Sequence, residues 1–233
     1  MSGPENDPRG GAARADGDVQ IRLAKVHHPV TALGPGTRAG IWFQGCTLAC
    51  HGCLSTDTWP ADAGRVLPVS AVLDWLAGLP PVDGVTISGG EPFQQPEALA
   101  ALLRGIHVWR GSREFDILLY SGYVSSRLSR DPESRNILDL CDAVVAGPYV
   151  ERLDDGSPLR GSANQTLVPL TALGRKRYEH EGHDVRRMQV CVEDGAEGRR
   201  VYYIGIPRRG DMDRLSAVLD GAGVRAGEAS WRL

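Results

Sequence analysis

The chain has 233 residues, 42% of them hydrophobic, and a formal net charge of −3: enough for one domain with a small appendage and a real core, without the basic surplus of a nucleic-acid binder. No run of about 18 apolar residues appears, which excludes a membrane-spanning helix, and the N-terminus lacks the basic-then-apolar pattern of a secretory leader. Five cysteines, an odd number, argue against a disulfide framework and for a reducing compartment, so the expected location is cytoplasmic.

Residues 1–17 are Gly, Pro, Asp, Ala and Arg with almost nothing to bury, and are expected to form a disordered tail. Order begins near Val19, where Ile21 and Leu23 alternate as in a strand. Leu33-Gly34-Pro35-Gly36 reads as a turn. Ile41-Trp42-Phe43 reads as a short buried strand feeding directly into Cys46. Val69, Val72, Leu73 and Leu76 recur at helical spacing, and Gly78, Pro80 and Pro81 stop that helix. Val85–Ser88 is a strand; Pro96 opens a helix whose face is Leu99, Leu102, Leu103 and Ile106. Phe115–Tyr120 is a strand, Pro132 opens a helix through Ile137, Leu138 and Cys141, and Ala143–Ala146 is a buried strand. Strand and helix alternating in this order predict parallel strands joined by crossover helices.

Beyond about residue 150 the rhythm breaks. The basic run Arg175-Lys176-Arg177 is expected in a solvated loop. Met188–Val192 and Arg200–Ile204 suit a hairpin, and Met212, Leu215, Val218 and Leu219 a last short helix ending before Gly221. The division expected is a core over 18–167 and an extension over 168–233.

The chemistry concentrates at strand ends. Cys46, Cys50 and Cys53 stand at spacing C-x3-C-x2-C. Electron-transfer clusters of the 4Fe–4S type use four cysteines. A loop with three can hold three corners of the cube and leave one iron open, and an open position is what lets a metal site do chemistry. Zinc is the competing reading, with His51, His27 or His28 as fourth ligand. Ser88-Gly89-Gly90-Glu91-Pro92, Ser121-Gly122-Tyr123 and Ala146-Gly147-Pro148-Tyr149 each follow a predicted strand, and in parallel α/β sheets ligands gather at the carboxyl ends of strands. Cys141 and Cys191 sit in apolar contexts and read as inert core thiols, and Trp59 reads as packing.

The three-cysteine loop with Gly89-Gly90-Glu91-Pro92 resembles the radical S-adenosylmethionine superfamily. Within it, Gly34-Pro35-Gly36-Thr37-Arg38, Trp42-Phe43-Gln44-Gly45-Cys46, Thr58-Trp59, Gly147-Pro148-Tyr149 and Arg160–Gln165 look like the small activating enzymes of anaerobic ribonucleotide reductase and other proteins with a single 4Fe–4S cluster. The resemblance implies a partial, open β/α barrel of about five or six parallel strands with a small C-terminal β-hairpin extension. It implies a 4Fe–4S cluster on Cys46, Cys50 and Cys53, and S-adenosylmethionine held by Gly89, Gly90, Glu91 and Pro92, with Ser121 and Tyr123 nearby. It implies reductive cleavage of the cofactor to methionine and a 5′-deoxyadenosyl radical, an electron donor of flavodoxin or ferredoxin type, and a large protein substrate that acquires a glycyl radical. The sequence departs from that pattern at Ala146, where the activating enzymes usually carry aspartate, and in its long C-terminal region. Both features suit a second reading, modification of a peptide or small molecule. A third, from another class, is a non-catalytic metal-binding or electron-carrier module.

Overall fold

The computed structural model describes residues 19–179, 188–195 and 198–223; the tail expected over 1–17 lies outside the described residues. Seven strands form one sheet. In chain order they are β1 (Gln20–Val30), β2 (Arg38–Phe43), β3 (Arg65–Pro68), β4 (Gly84–Gly89), β5 (Asp116–Ser121), β6 (Ala143–Ala146) and β7 (Thr166–Pro169), and their order across the sheet is β3-β1-β2-β4-β5-β6-β7.

Only β2, β4, β5 and β6 run parallel. That is four parallel strands where five or six were expected; β1, β3 and β7 pair antiparallel at the two sides. For β1 the reason is connection length. Residues 31–37 between β1 and β2 are too few for the crossover that a parallel pair requires, so the chain doubles back. The central strands are continuous apolar runs, with Val85, Ile87, Ile117, Leu118, Leu119 and Val145 fully buried, as strands covered on both faces must be.

Helices α1 (Val69–Ala77), α2 (Pro96–Arg110) and α4 (Pro132–Leu138) bury Val72, Leu76, Leu99, Leu102, Leu103, Ile106 and Ile137 in one core with the sheet. Pro96 and Pro132 both open their helices, where a missing N–H costs nothing. A short helix α3 (Ser125–Arg130) precedes α4. A second apolar cluster joins Leu118, Ala143 and Val145 to Leu159 and Tyr178.

Tyr178 ends α5 (Ala172–Tyr178), which corrects the expected solvated loop. Arg177 is not solvated: its Nη1 lies 2.9 Å from Asp116 Oδ1 and 2.8 Å from the Asp83 carbonyl. Asp116 also receives two hydrogen bonds from the fully buried Arg38, at 2.9 and 2.8 Å, and one of 2.5 Å from the Tyr178 hydroxyl. Arg38 is completed by Thr86 Oγ1 at 2.6 Å and the Val85 carbonyl at 2.8 Å. This network knits the amino ends of β2, β4 and β5 to α5. The boundary expected at residue 167 therefore falls inside β7.

Strands β8 (Met188–Gly195) and β9 (Gly198–Gly205) pair antiparallel in a separate two-stranded sheet, followed by α6 (Asp211–Gly221). Gln189 and Ile204, opposite each other in that ribbon, seat it on the domain. Gln189 Oε1 accepts from the Thr31 N–H at 2.8 Å and its Nε2 donates to the Pro29 carbonyl at 2.6 Å; Ile204 packs with Val30 and Leu33. Among the described residues no helix is long and apolar enough to cross a membrane.

A three-cysteine cleft at the strand ends

The cysteine loop is anchored at its base by backbone. Gly45 N–H donates to the Thr58 carbonyl at 2.8 Å and Cys46 N–H to the Trp59 carbonyl at 3.0 Å. Three glutamines brace it further. Gln44 Nε2 reaches the carbonyls of Asp57 and Pro60 at 3.0 and 2.9 Å. Gln95 Nε2 bridges the carbonyls of Arg22 and Gln44, each at 2.9 Å. Gln94 donates to Thr47 Oγ1 at 2.7 Å and accepts from the Thr47 N–H at 3.2 Å. Sequence reasoning assigned these side chains no role; the signal available was three amides immediately beside the two motifs.

Cys46, Cys50 and Cys53 all line one cleft with Leu48, Trp59, Gly89, Gly90, Tyr120, Ser121, Gly122, Gly147, Tyr149 and Gln165, enclosing about 570 Å³ including its open mouth. All three thiols are free. Burial pushes the Cys46 thiol up, and the backbone N–H groups of Leu48 and Ala49 oppose that shift. Burial likewise raises Cys53, against hydrogen bonds from the Ser55 backbone and the Trp59 side chain. Such N–H groups stabilise sulfur in its anionic, ligating form. Trp59, expected to be packing, thus lines the cleft and touches a cysteine.

His51 does not join the thiols. Its ring is 91% exposed and its Nδ1 lies 3.1 Å from Glu151 Oε2. Among the described residues no three His, Cys, Asp or Glu side chains converge as a single metal ion requires. A cubane takes its ligands on separate corners, and three cysteines around one cleft, with His51 turned away, suit it.

Of the predicted cofactor residues, Gly89, Gly90 and Ser121 line the cleft; Glu91, Pro92 and Tyr123 do not. The two glycines are demanded first by packing. Gly89 has φ +109°, and a Cβ on Gly90 would lie 2.3 Å from the Gly45 carbonyl oxygen. Main chain meets main chain there: Gly90 N–H donates to Phe43 O at 2.8 Å and Glu91 N–H to Gly45 O at 2.9 Å. The close approach attributed to a ligand is thus also an approach between the strand end and the cysteine loop.

Glu91 is fully buried. Its Oε1 accepts from Ser121 Oγ at 2.9 Å and the Phe93 N–H at 3.1 Å, and its Oε2 from the Gly122 N–H at 2.7 Å. Burial raises its pKa, while those donors and the charge of Arg127 lower it. Its carboxylate ties the end of β4 to the end of β5. Tyr123 is held by its own contacts, with Arg127 stacked 3.6 Å from its ring centroid and its hydroxyl 3.3 Å from Gln94 Nε2. On the far wall, Gln165 Oε1 accepts from the N–H groups of Gly161 and Ser162 at 2.8 and 3.1 Å, and its Nε2 donates to the Gly147 carbonyl at 2.9 Å. That side chain orders the whole segment matched to the family's Arg160–Gln165. Cys141 is buried, with its thiol pushed well up by desolvation. Cys191 packs beside the ribbon cluster and receives Gln189 Nε2 at 3.1 Å.

Residues 32–168 match the 4Fe-4S single cluster domain. The chain belongs to that family. The domain spans every strand end that builds the cleft, from β2 to β7. Among curated relatives, the anaerobic ribonucleoside-triphosphate reductase-activating protein of Vibrio cholerae is 31% identical over 152 residues, covering 62% of this chain and 96% of the relative. The protein of that name from Pasteurella multocida is 32% identical over 144 residues, covering 59% and 90%; that from enterobacteria phage T4 is 31% identical over 140 residues, covering 58% and 85%. Among solved structures, QueE from Escherichia coli overlays 46% of this chain and 55% of its own at a TM-score of 0.37 and 17% identity, an overlap too slight to bear on fold or function. The alignments cover 85–96% of these relatives and 58–62% of this chain, and the matched 4Fe-4S single cluster domain ends at residue 168, ahead of β8, β9 and α6.

Proposed function

We propose that this protein is a radical S-adenosylmethionine enzyme that activates a glycyl radical enzyme of the anaerobic ribonucleotide reductase type. The observation that carries the reading is one cleft lined by three cysteines and, packed against their loop, the Gly89–Gly90 strand end, in a chain whose relatives are named as reductase-activating proteins.

Cys46, Cys50 and Cys53 would hold the 4Fe–4S cluster, one fewer cysteine than an electron-transfer cluster uses. When bound, the cluster and S-adenosylmethionine supply reductive cleavage of the C5′–S bond, with an electron from a flavodoxin- or ferredoxin-type donor. The chain's own residues do the positioning. Backbone groups of Gly89 and Gly90 would hold the methionine moiety with Ser121 nearby, and Glu91, Pro92 and Tyr123 would support them from outside the lining. Trp59, Tyr120 and Tyr149 exclude water from the interior. The sheet order ends at β3 and β7, which do not pair with each other; we read it as an open barrel whose gap admits a protein loop. The core takes in β7 and α5, the segment from β8 onward is an added extension, and the location is cytoplasmic.

The test is electron paramagnetic resonance of the reduced, cluster-loaded protein with S-adenosylmethionine and a large reductase subunit. A glycyl radical signal on the subunit supports the reading. Release of 5′-deoxyadenosine with no such signal on any reductase selects the second reading, modification of a peptide or small molecule, which Ala146 and the added segment favour.

A further inference from the structure

Tyr120 stands where the cleft meets the added segment. Alternation along β5 turns Ile117 and Leu119 into the core with the helices, and Leu118 and Tyr120 to the opposite face. There Tyr120 borders both small apolar clusters, that of Leu118 and Leu159 and that of Val30, Leu33 and Ile204. It also lines the cleft with the three cysteines. Its hydroxyl is engaged, donating to the Leu159 carbonyl at 2.9 Å. The main chain around it is fixed: Tyr120 and Ser121 pair with Val145 and Ala146 of β6, and Ser121 Oγ donates to Glu91. What remains to be held at this point of the lining is the Tyr120 ring.

Ile204 comes from beyond the matched domain, which ends at residue 168. A two-stranded ribbon is marginally stable by itself, so β8 and β9 depend on their seat. One face of the ribbon makes it. Gln189 bonds to Thr31 and Pro29, the Lys25 ammonium lies over the Tyr202 ring, and Cys191 and Tyr202 pack around the cluster of Ile204. The other face is left open, with Val190 and Val192 each 59% exposed and Val201 45%. The ribbon therefore buries the one face whose cluster Tyr120 rests on.

We propose that the β8–β9 ribbon is a positioning element for the cleft: Ile204 and Gln189 keep the Tyr120 ring in place, and the ring fixes how S-adenosylmethionine lies against that part of the lining. The proposal deepens the activation reading and rests on it for the identity of the cofactor. Ile204 and Gln189 are positioning residues, acting through Tyr120. Shortening a buried side chain leaves a cavity into which its neighbours relax only in part, so a loosened seat is felt at the ring while the hydrogen-bonded backbone of β5 stays where it is.

The test uses the full chain with 3-fluorotyrosine at its six tyrosines. Fluorine NMR is recorded before and after cluster loading, and the Tyr120 signal is identified by its loss in Tyr120→Phe. Ile204→Ala and Gln189→Ala, which loosen the seat at different points, are each expected to shift that signal and leave those of Tyr123 and Tyr178 in place. Ile204→Val and the open-face control Val201→Ala should stay close to wild type. Equilibrium dialysis of S-adenosylmethionine against the oxidised, cluster-loaded chain should show about fivefold weaker binding for Ile204→Ala, and no further loss when Ile204→Ala is added to Tyr120→Ala. A role in stability alone would leave the affinity of the folded, loaded protein unchanged. A Tyr120 signal unmoved by both ribbon variants overturns the proposal, as do losses of affinity that add in full across the Tyr120 pair. A defect confined to the KM for a reductase subunit also overturns it, assigning the ribbon to the partner. If the signal moves and the losses fail to add while no reductase acquires a glycyl radical, the activation reading fails and the positioning role stands.

Discussion

Glu91→Gln is the sharpest perturbation of the cleft wall. The wild-type carboxylate accepts three hydrogen bonds, from Phe93 N–H, Ser121 Oγ and Gly122 N–H, in a site with no exposure. A glutamine of the same shape has one acceptor oxygen. Turned toward Phe93 and Ser121, it sets its NH2 against the Gly122 N–H; turned toward Gly122, it sets its NH2 against Phe93. Ser121 can rotate to accept, but a backbone N–H cannot, so one buried donor loses its partner in either orientation. An unsatisfied buried donor costs ~1–3 kcal/mol. Relief of the buried charge offsets part of this, which places the expected loss toward the lower end. Urea unfolding of the cluster-free protein, comparing midpoints at constant slope, reads it directly. The same wall carries Gly90, so affinity for S-adenosylmethionine in the loaded protein should fall as well. A variant as stable as wild type, with affinity reduced alone, would refute the tie between β4 and β5 and make Glu91 a ligand contact.

Three further outcomes follow from the geometry. Asp116→Ala leaves the fully buried Arg38 without its carboxylate and frees Arg177 and Tyr178; loss of one partner of a buried pair costs ~3–5 kcal/mol, measured by urea unfolding, and a loss under ~1 kcal/mol would mean water replaces the partner. Gly90→Val drives a side chain into the Gly45 carbonyl at the root of the cysteine loop, so iron content after reconstitution should fall together with cofactor binding; full iron with normal binding would misplace that contact. Cys50→Ala should abolish cluster retention and cofactor cleavage together, read by iron and sulfide analysis, whereas a retained cluster would mean another residue supplies the third corner.

The central α/β pattern was open to reading because its signals are local. Leu99, Leu102, Leu103 and Ile106 repeat along one helix face, and Val85–Ser88 and Ala143–Ala146 are apolar enough to belong only inside a sheet. Both motifs of the cleft were likewise contiguous. What escaped was non-local. β3 is an edge strand whose Arg65 and Val66 are exposed, so it shows no buried stripe. The basic run on α5 looks solvated until Arg177 and Tyr178 find Asp116, more than 60 residues earlier in the chain. The glutamines bracing the cysteine loop and the Gly45 carbonyl beneath Gly90 belong to the same class: each matters through a partner that sequence spacing does not reveal.

The chemistry proposed for the cleft needs an iron left without a protein ligand. Mössbauer spectroscopy of anaerobically reconstituted protein, with and without S-adenosylmethionine, tests it most directly. The expected result is about four irons and four sulfides per chain, one iron whose signal shifts when the sulfonium compound is added, and 5′-deoxyadenosine on reduction. A colourless zinc protein, or a cluster with all irons equivalent and indifferent to the cofactor, would contradict it.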